Sequence, residues 1–592
     1  MRDEHALLSL YARLWKHVSR RRRTQLAALG ALMLVGTFAE LVSLGMVLPF
    51  LGVLTAPERA FEHVAAQPLI HLFGLTAPQQ LLLPLTALFA LAAALAGAVR
   101  LAMLWLQMRL GSIIGVDLGY EAYRRTLYQP YAVHAARNSS EIIAALMTKI
   151  HTIVYFILVP TLTLLTSSCI VLTILVFMVL VDPQLTAMTF LAFGGLYVVV
   201  AYTTKRSLAR DSQLVTAGQT RLAQLVQEGL GGIRDVLIDG LQETYSRIYR
   251  RADAELRRAI GNINFMQGAP RPVIEAFGLV LIGWLAYAMA GRPGGMTAAI
   301  PVLGALALAA QRLLPLVQQG YSSWTSILGG EASLRDVLSL LEQPLPVYSA
   351  LPAPAPLTFR EGIEFNNVQI RYGAQSPLIL RGIQLRIRRG SRTGLIGATG
   401  SGKSTLLDVL MGLLPPTAGT LRVDGTVIDD ANHRSWQAHI AHVPQVIYLA
   451  DATVSENIAF GVPVAEIDHA RVRRAAQLAQ IAETIESWQD GYQTVVGERG
   501  SRLSGGQRQR IGIARALYKQ TDVIVFDEAT SALDDETELA VMQAIDSLPG
   551  DLTIFTVAHR LSTLRNCDQI IELSGGAVQR VGTYKGMIEQ AV

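Results

Sequence analysis

The stretch GATGSGKST, residues 397–405, has the residue types that hold the phosphates of a nucleotide. Its glycines let backbone amides turn towards phosphate oxygens, Lys403 can reach the terminal phosphates, and the Ser404 hydroxyl can bind magnesium. A strand-like RTGLI precedes the loop and a helix-forming LLDVLMGLL follows it, so the positive helix N-terminus adds to the attraction for phosphate. The predicted nucleotide contacts in this loop are Gly397, Thr399, Gly400, Ser401, Gly402, Lys403, Ser404 and Thr405.

Two carboxylates follow an apolar run in VIVFDEAT, residues 523–530. The run predicts a buried strand that ends at Asp527 and Glu528. Asp527 can hold magnesium through water, and Glu528 can polarise the water that attacks the terminal phosphate. Together with the glycine-rich loop, these residues predict a nucleoside triphosphate hydrolase that uses Mg²⁺.

The stretch LSGGQRQR, residues 503–510, lies between these two motifs, and with it the sequence resembles the ATP-binding cassette superfamily. Further stretches stand in the order of that family, namely IRYG with Tyr372, HVPQ with Gln445, VGERG, SALD, and VAHR with His559. The resemblance implies that Tyr372 stacks on the adenine of ATP, that Gln445 binds magnesium, and that His559 contacts the terminal phosphate. The implied catalytic residues are Glu528, His559 and Gln445, and the implied magnesium ligands are Ser404, Gln445 and Asp527.

The same resemblance implies a dimer, because in this family two cassettes enclose two nucleotides head to tail. Ser504, Gly505, Gly506 and Gln507 would then complete the nucleotide site of the opposite subunit. Since Glu528 and the LSGGQ stretch are both intact, a homodimer would have two competent sites.

The composition of the chain is that of a membrane protein. Its 592 residues have a mean hydropathy of +0.35 and only 16% charged residues, and the apolar residues crowd into the first part of the chain. The net charge of +5 is small for this length, so no nucleic-acid partner is predicted. Six stretches supply the ~20 apolar residues that a membrane-spanning helix needs. The predicted spans are 26–54, 81–110, 153–181, 185–203, 274–290 and 297–316.

Basic residues predict the orientation of these spans. Four arginines at 20–23 precede the first span, and ten Lys or Arg lie between residues 205 and 258. The loops on the other side hold only Arg59 and Arg292. By the positive-inside rule, the N-terminus and the second half of the chain are cytoplasmic. We expect a multi-pass protein of the bacterial inner membrane.

A proline-rich stretch, QPLPVYSALPAPAP, separates the apolar part from a part in which β-rich and helical runs alternate. The predicted fold is an all-α membrane domain of six transmembrane helices, of the exporter type, followed by an α/β P-loop nucleotide-binding domain. The resemblance implies coupling elements at the tips of the long cytoplasmic loops, near 130–141 and 231–240. Residues 61–75 are expected to form either a short helix on the outer membrane surface or an ordinary loop. The predicted boundaries are 1–330 for the membrane domain, 331–357 for a linker and 358–592 for the nucleotide-binding domain.

Three arginines, Arg100, Arg271 and Arg312, interrupt the apolar spans. At a rise of ~1.5 Å per residue, they lie ~28, ~28 and ~22 Å from the external helix ends, which is close to the inner headgroup level. They either anchor their helices at the interface or face a cavity in which guanidinium groups bind phosphate. Glu40 and Glu275 are available to pair with them, which would weaken the case for phosphate binding.

The sequence around these arginines is similar to that of the bacterial flippases for lipid-linked oligosaccharides. The similar stretches are FAELVSLGMVLPFLGVL, AVRLAM, APRPVIEAFG and QRLLP. This resemblance implies ATP-driven flipping of a polyprenyl-pyrophosphate oligosaccharide from the inner to the outer leaflet, with the three arginines near the pyrophosphate. The alternative is an exporter of a peptide, a drug or another lipid.

Overall fold

The computed structural model describes residues 2–589 apart from short stretches, and these residues form two compact units. One unit consists of the residues up to 129 together with 137–345, and the other of residues 130–136 together with those from 346 onwards. The stretches outside the description are 47–49, 51–52, 54–56, 63–66, 182, 291–294, 353, 374, 529–533, 547–551 and 559–563.

The first unit is built from helices. Before residue 130 these are α1 (Arg2–His17), α2 (Arg20–Gly45), α3 (Pro57–Glu62), α4 (Gln67–Phe73) and α5 (Leu82–Leu127). The short α6 (Tyr131–Ala136) belongs to the second unit. After it come α7 (139–181), α8 (Pro183–Gly231), α9 (Ile233–Ile238), α10 (Gln242–Gly268), α11 (Pro270–Ala290) and α12 (Gly295–Leu341). Within α7, the segments Ala145–Lys149 and Ile153–Leu158 are π-helical.

Local sequence signals explain where several of these helices begin. The side-chain oxygen of Asn138 accepts a hydrogen bond from the Ser140 amide at 2.9 Å, which caps the start of α7. Prolines open α8 and α11 at Pro183 and Pro270, where a missing N–H costs nothing. Pro68 lies in the first turn of α4 for the same reason, so it does not break that helix.

Membrane-spanning character is evident in three of the helices. Within the described residues, Arg20–Ser43, Pro78–Leu127 and Ser139–Val176 are long and apolar enough to cross a bilayer. The prediction of six spans stays a prediction. For residues 61–75 the helical alternative is the one observed, since α4 covers Gln67–Phe73.

Close helix packing in the first unit depends on a stripe of glycines along α5. A Cβ atom at Gly111 would lie 2.8 Å from Val159 Cγ2, and one at Gly115 would lie 2.4 Å from Val154 Cγ2. Gly119, one turn further, has ordinary space, because its nearest neighbour would be 3.6 Å away. Small residues at a spacing of four let α5 and α7 approach each other closely.

The boundary predicted for the linker is wrong at its N-terminal side, because α12 continues to Leu341. Residues 331–341 read EASLRDVLSLL, and their leucines at helical spacing are buried against α1, α5 and α7. The helix stops only before Pro344, since a proline disfavours helical backbone in the residue that precedes it. The extended connection therefore starts after α12 rather than at residue 331.

The second unit contains two sheets joined by helices. Its first strands and helices are β1 (Gly362–Ile370), β2 (Leu380–Arg388), β3 (Arg392–Gly397), α13 (Lys403–Leu410), β4 (Ala418–Val423), β5 (Thr426–Val427), α14 (His433–Gln437) and β6 (Ile440–Val443). They are followed by α15 (Val454–Ile458), α16 (His469–Leu478), α17 (Ala482–Glu486), α18 (Gly505–Lys519), β7 (Val523–Asp527), α19 (Asp535–Asp546), β8 (Thr553–Val557), β9 (Gln569–Ser574), β10 (Ala577–Gly582) and α20 (Tyr584–Glu589).

Strand order brings the two phosphate motifs together. The antiparallel sheet has the order β2-β1-β4-β5, and the larger sheet has the order β10-β9-β3-β8-β7-β6, in which β9, β3, β8, β7 and β6 are parallel. Only β8 separates β3 from β7, so the carboxyl ends of these two strands lie at one edge of the sheet. Ligands of such sheets bind at that edge.

Buried polar contacts fasten the chain at residue 357 to the rest of the second unit. His439 is buried, and its Nε2 lies 2.6 Å from the Leu357 carbonyl oxygen while its Nδ1 contacts the Asp522 carboxylate. Trp436, which is fully buried, donates from Nε1 to the Leu410 carbonyl at 2.7 Å. The His439 contact holds the chain at residue 357 in place, and the Trp436 contact holds the end of α13.

Candidate functional site

The glycine-rich loop adopts a conformation that side chains would prevent. Gly397, Gly400 and Gly402 have φ values of 152°, 81° and 100°, in the region that glycine alone enters easily. A Cβ atom at Gly397 would lie 2.4 Å from the Leu573 carbonyl oxygen, and one at Gly402 would lie 2.9 Å from Leu380. At Gly400 nothing lies within 4 Å, so the outer side of the loop is open. The loop is therefore a cradle of backbone amides with an accessible face.

Polar groups of the loop point into this cradle. Lys403 is buried, and its Nζ donates to the carbonyl oxygens of Gly397 at 2.8 Å and Ala398 at 3.1 Å. The buried Ser401 hydroxyl has no hydrogen-bond partner within the described residues. A buried hydroxyl without a partner is costly, and a phosphate oxygen would satisfy it. Thr399 and Ser404 are exposed, and Thr405 is buried.

Two of the three candidate catalytic side chains meet at the edge of the sheet. Gln445 follows β6, Glu528 follows β7, and the Gln445 Nε2 donates to Glu528 Oε2 at 2.6 Å. Glu528 has a φ of 51°, which is unusual for a residue with a side chain. Its amide donates to the Val557 carbonyl at 3.1 Å, so the sheet itself holds this backbone. Strain of this kind is common at functional sites.

The electrostatics of this edge favour a bound cation. Burial raises the pKa of the Asp527 carboxyl above its usual range, the negative charge of Glu528 raises it further, and Lys403 partly opposes both effects. Burial also raises the pKa of Asp408, on α13, to about 6, and Asp527 adds to this rise. Carboxylates that repel each other in a half-buried place are a suitable surrounding for a divalent metal ion.

Aromatic residues flank the loop. The Tyr372 ring is about half exposed, and its hydroxyl lies 3.4 Å from Thr405 Oγ1. The pKa of the Tyr131 hydroxyl, in α6, is raised first by the charge of Asp408 and then by burial. The α6 segment, expected as one coupling element, therefore lies beside α13 within the second unit. The other coupling element was expected at 231–240, where the chain forms α9.

The LSGGQ stretch forms the start of a well-capped helix. The Ser504 Oγ accepts from the Gln507 amide at 3.2 Å, and Gln507 Oε1 accepts from the Ser504 amide at 2.9 Å. Gly505 and Gly506 occupy the first two helical positions of α18, and so no side chain covers their amides. The helix packs in the core around α15 and α16, whereas α13 packs in the core around β1 and β2. The glycine-rich loop that precedes α13 and the LSGGQ stretch at the start of α18 are therefore supported by two different hydrophobic clusters of the second unit.

Some predicted residues lie outside the described part of the chain. His559 and residues 531–533 of the SALD stretch are among them, and so is the side chain of Arg312.

Sequence reasoning also missed Asp408, which had no motif of its own to mark it.

Both described membrane arginines have acidic neighbours. Arg271 Nε donates to Glu275 Oε1 at 2.8 Å, one turn along α11. Arg100 Nη1 lies 3.9 Å from Glu40 Oε1, which is the limit of an ion pair. The alternative in which glutamates pair with the arginines is thus observed for both.

Arg271 and Glu275 line a cavity of about 640 Å³ in the first unit. Its wall comes from α7, from α10 and α11, and from α12. Several of its amide side chains were not predicted as site residues, although the segments NINFMQG and VQQGYSS are conspicuously polar beside apolar spans. The unpredicted amide residues in the wall are Asn264, Gln267, Gln318 and Gln319.

Comparison with known proteins decides the family. The family model described as ABC transporter transmembrane region matches residues 28–296, and the one described as ABC transporter matches residues 380–531. An ATP-dependent lipid A-core flippase of Thiobacillus denitrificans is 32% identical over 81% of this chain and 82% of its own length. The chain belongs to the ATP-binding cassette exporters. The ATP-hydrolase prediction for this exporter is confirmed.

One further relative and one solved structure of similar fold are informative. A Bacillus subtilis protein, whose name gives multidrug export as a provisional function, is 30% identical over 77% of this chain and 78% of its own length. The structure of a bacterial Atm1-family ABC exporter with ATP bound superposes with a TM-score of 0.78 over 96% of both chains, at 24% identity. The predicted fold class, a helical membrane domain followed by an α/β nucleotide-binding domain, is confirmed.

Proposed function

We propose that this exporter flips a polyprenyl-pyrophosphate oligosaccharide from the inner to the outer leaflet of the bacterial inner membrane, as a homodimer driven by ATP hydrolysis. The observation that carries the proposal is the position of Arg271 in the wall of a cavity in the membrane unit. A guanidinium can bind a phosphate with two hydrogen bonds while the apolar tail of a lipid stays in the bilayer. The relationship to a lipid A-core flippase supports a lipid cargo.

In the cassette, the loop amides and Lys403 would hold the ATP phosphates. Ser404, Asp527 and Gln445 would hold Mg²⁺, which supplies positive charge against the phosphate oxygens when it is bound. The raised pKa of Asp527 beside Glu528 supports this assignment, because a cation would relieve the repulsion between the two carboxylates. Glu528 would orient and polarise the attacking water, and the hydrogen bond from Gln445 keeps its carboxylate at the sheet edge.

The remaining nucleotide contacts follow from the family resemblance. Tyr372 would stack on adenine, and His559 would contact the terminal phosphate. The uncovered amides at the start of α18 would complete the site of the second subunit, where the helix dipole favours an anion. This assignment requires the homodimer.

The three membrane arginines would contact the pyrophosphate. Arg271 has support from the cavity, whereas Arg100 and Arg312 enter the proposal through their positions in the sequence. The carboxylate of Glu275 has to leave Arg271 before a phosphate can take its place.

The second candidate function is export of a drug, a peptide or another lipid. It is favoured by the relationship to the Bacillus subtilis protein named for multidrug export. Such cargo would use the same cassette and a different set of cavity contacts.

The deciding experiment measures ATP hydrolysis of the exporter in lipid nanodiscs, with and without a polyprenyl-pyrophosphate glycan. We expect the lipid to stimulate wild type severalfold and Arg271→Ala to abolish the stimulation. Arg221→Ala, which removes an exposed arginine of α8, serves as the matched control and should retain it. Glu528→Gln should lower hydrolysis by at least ~100-fold while ATP still binds. Stimulation by a hydrophobic drug but not by the glycolipid would favour the second candidate.

A further inference from the structure

The cavity in the membrane unit has both apolar residues and several polar residues in its wall. Among the described side chains of its wall, the charged ones are Arg271 and Glu275, which pair with each other. The other polar residues of the wall carry neutral amide or hydroxyl groups. This wall suits a ligand with many uncharged hydrogen-bonding groups.

Some of the amides are already used to hold helices together. The Gln318 Nε2 donates to the Gln267 carbonyl at 2.8 Å, and its Oε1 accepts from the Tyr197 hydroxyl at 3.0 Å. The Gln267 Nε2 donates to Ser326 Oγ at 3.0 Å. These two glutamines tie α10 to α12 and α8 to α12, and their role is structural.

Two other amides in the wall have hydrogen-bonding capacity left. The Gln319 Oε1 accepts from Ser167 Oγ at 3.3 Å, which orients the amide and leaves both hydrogens of Nε2 unpaired within the described residues. Within the residues that the structure describes, neither polar atom of the Asn264 side chain has a hydrogen-bond partner. Both side chains are exposed, and they lie on different helices, α12 and α10. Together they offer donors and an acceptor to one ligand.

We infer that Asn264 and Gln319 form a subsite for a sugar, binding hydroxyl or acetamido groups of the saccharide that is attached to the phosphate. The inference rests on the proposed function and adds to it that the exporter recognises the first sugar as well as the pyrophosphate. Sugars carry the required density of neutral donors and acceptors, whereas an apolar drug does not. Two ordinary hydrogen bonds correspond to about tenfold in affinity.

The test compares two lipids in nanodiscs, undecaprenyl pyrophosphate and the same lipid with one N-acetylglucosamine. For each protein, the readout is the ratio of the two lipid concentrations that give half-maximal stimulation of ATP hydrolysis. We expect wild type to need about tenfold less of the sugar-bearing lipid. Gln319→Leu removes one of the two hydrogen-bonding side chains and should lower the ratio to about three. Gln224→Leu, which removes a glutamine of α8 outside the cavity wall, should keep the wild-type ratio.

Two further variants protect the test against a folding defect. Asn264→Leu lies on another helix and should also reduce the ratio, whereas Gln319→Asn retains an amide and should restore part of it. Equal half-maximal concentrations of the two lipids for wild type, or a wild-type ratio in both leucine variants, would overturn the sugar subsite alone. No response of wild type to either lipid would overturn the proposed function, and the sugar subsite with it.

Discussion

The raised pKa of the Asp408 carboxyl, on α13, predicts that its negative charge destabilises the cassette at neutral pH and that replacement by asparagine is stabilising. Burial raises its pKa from the ordinary 3.8 to about 6, and Asp527 contributes to the rise. At ~1.4 kcal/mol per pKa unit, a full effect would be ~3 kcal/mol. Because the side chain is only half-buried, screening by solvent reduces the expected gain from Asp408→Asn to about 1 kcal/mol.

The sign of this effect depends on pH. The pKa of Asp408 is higher in the folded state than in the unfolded state. The protonated acid therefore costs no stability below pH 3.8, and the loss of folding stability grows between pH 3.8 and about 6. The difference between wild type and Asp408→Asn should therefore vanish near pH 4 and be complete above pH 6.

Hydrogen exchange of the α13 amides in the full-length exporter measures this locally, without requiring a single unfolding step. At pH 7.5 the variant should exchange about fivefold more slowly than wild type, after correction for intrinsic rates. Asp430→Asn, at an exposed position of the same unit, is the control and should change nothing. Equal or faster exchange of α13 in Asp408→Asn at pH 7.5 would refute the reasoning.

Two steric predictions concern glycines. Gly402→Ala should weaken ATP binding by at least ~10-fold in a nucleotide titration, because the φ of 100° is strained for alanine and the new Cβ would lie 2.9 Å from Leu380. Gly261→Ala, where nothing lies within 4 Å of the new Cβ, is the control. Unchanged ATP affinity in Gly402→Ala would contradict this explanation. Gly115→Ala should destabilise the detergent-solubilised exporter by ~1–3 kcal/mol, seen as a lower unfolding temperature, because the new Cβ would lie 2.4 Å from Val154 Cγ2. Gly119→Ala has ordinary space and should have little effect, so equal losses in the two variants would argue against close packing of α5 on α7.

The nucleotide motifs could be read from the sequence because each is a short contiguous stretch. The conformation of the loop from Gly397 to Lys403 is dictated by local glycines, and an apolar run followed by Asp527 and Glu528 is the pattern of a buried strand end. The contact between Gln445 and Glu528 is different. It joins residues that follow two neighbouring strands, and the family resemblance implied a role for each residue but not their contact.

The errors and omissions have physical causes as well. The linker boundary was set too early, because burial of residues 331–341 against three other helices extends α12 up to Pro344. The amide residues in the cavity wall were missed, because the wall draws residues from separate helices. Amides such as Gln318 and Gln319 look alike in the sequence, although the first is consumed by internal hydrogen bonds and the second keeps free donors among the described residues.

The amino-acid sequence alone determined the division into a membrane part and a nucleotide-hydrolysing part, since hydropathy, glycine spacing and carboxylate position are local properties. The fold determined which of the polar groups in the membrane part remain available to a ligand. That outcome depends on contacts between residues far apart in the chain, such as Tyr197 with Gln318 and Ser167 with Gln319. A polar group that is hydrogen-bonded within the fold contributes to stability, whereas one left unpaired at a cavity wall can bind cargo directly.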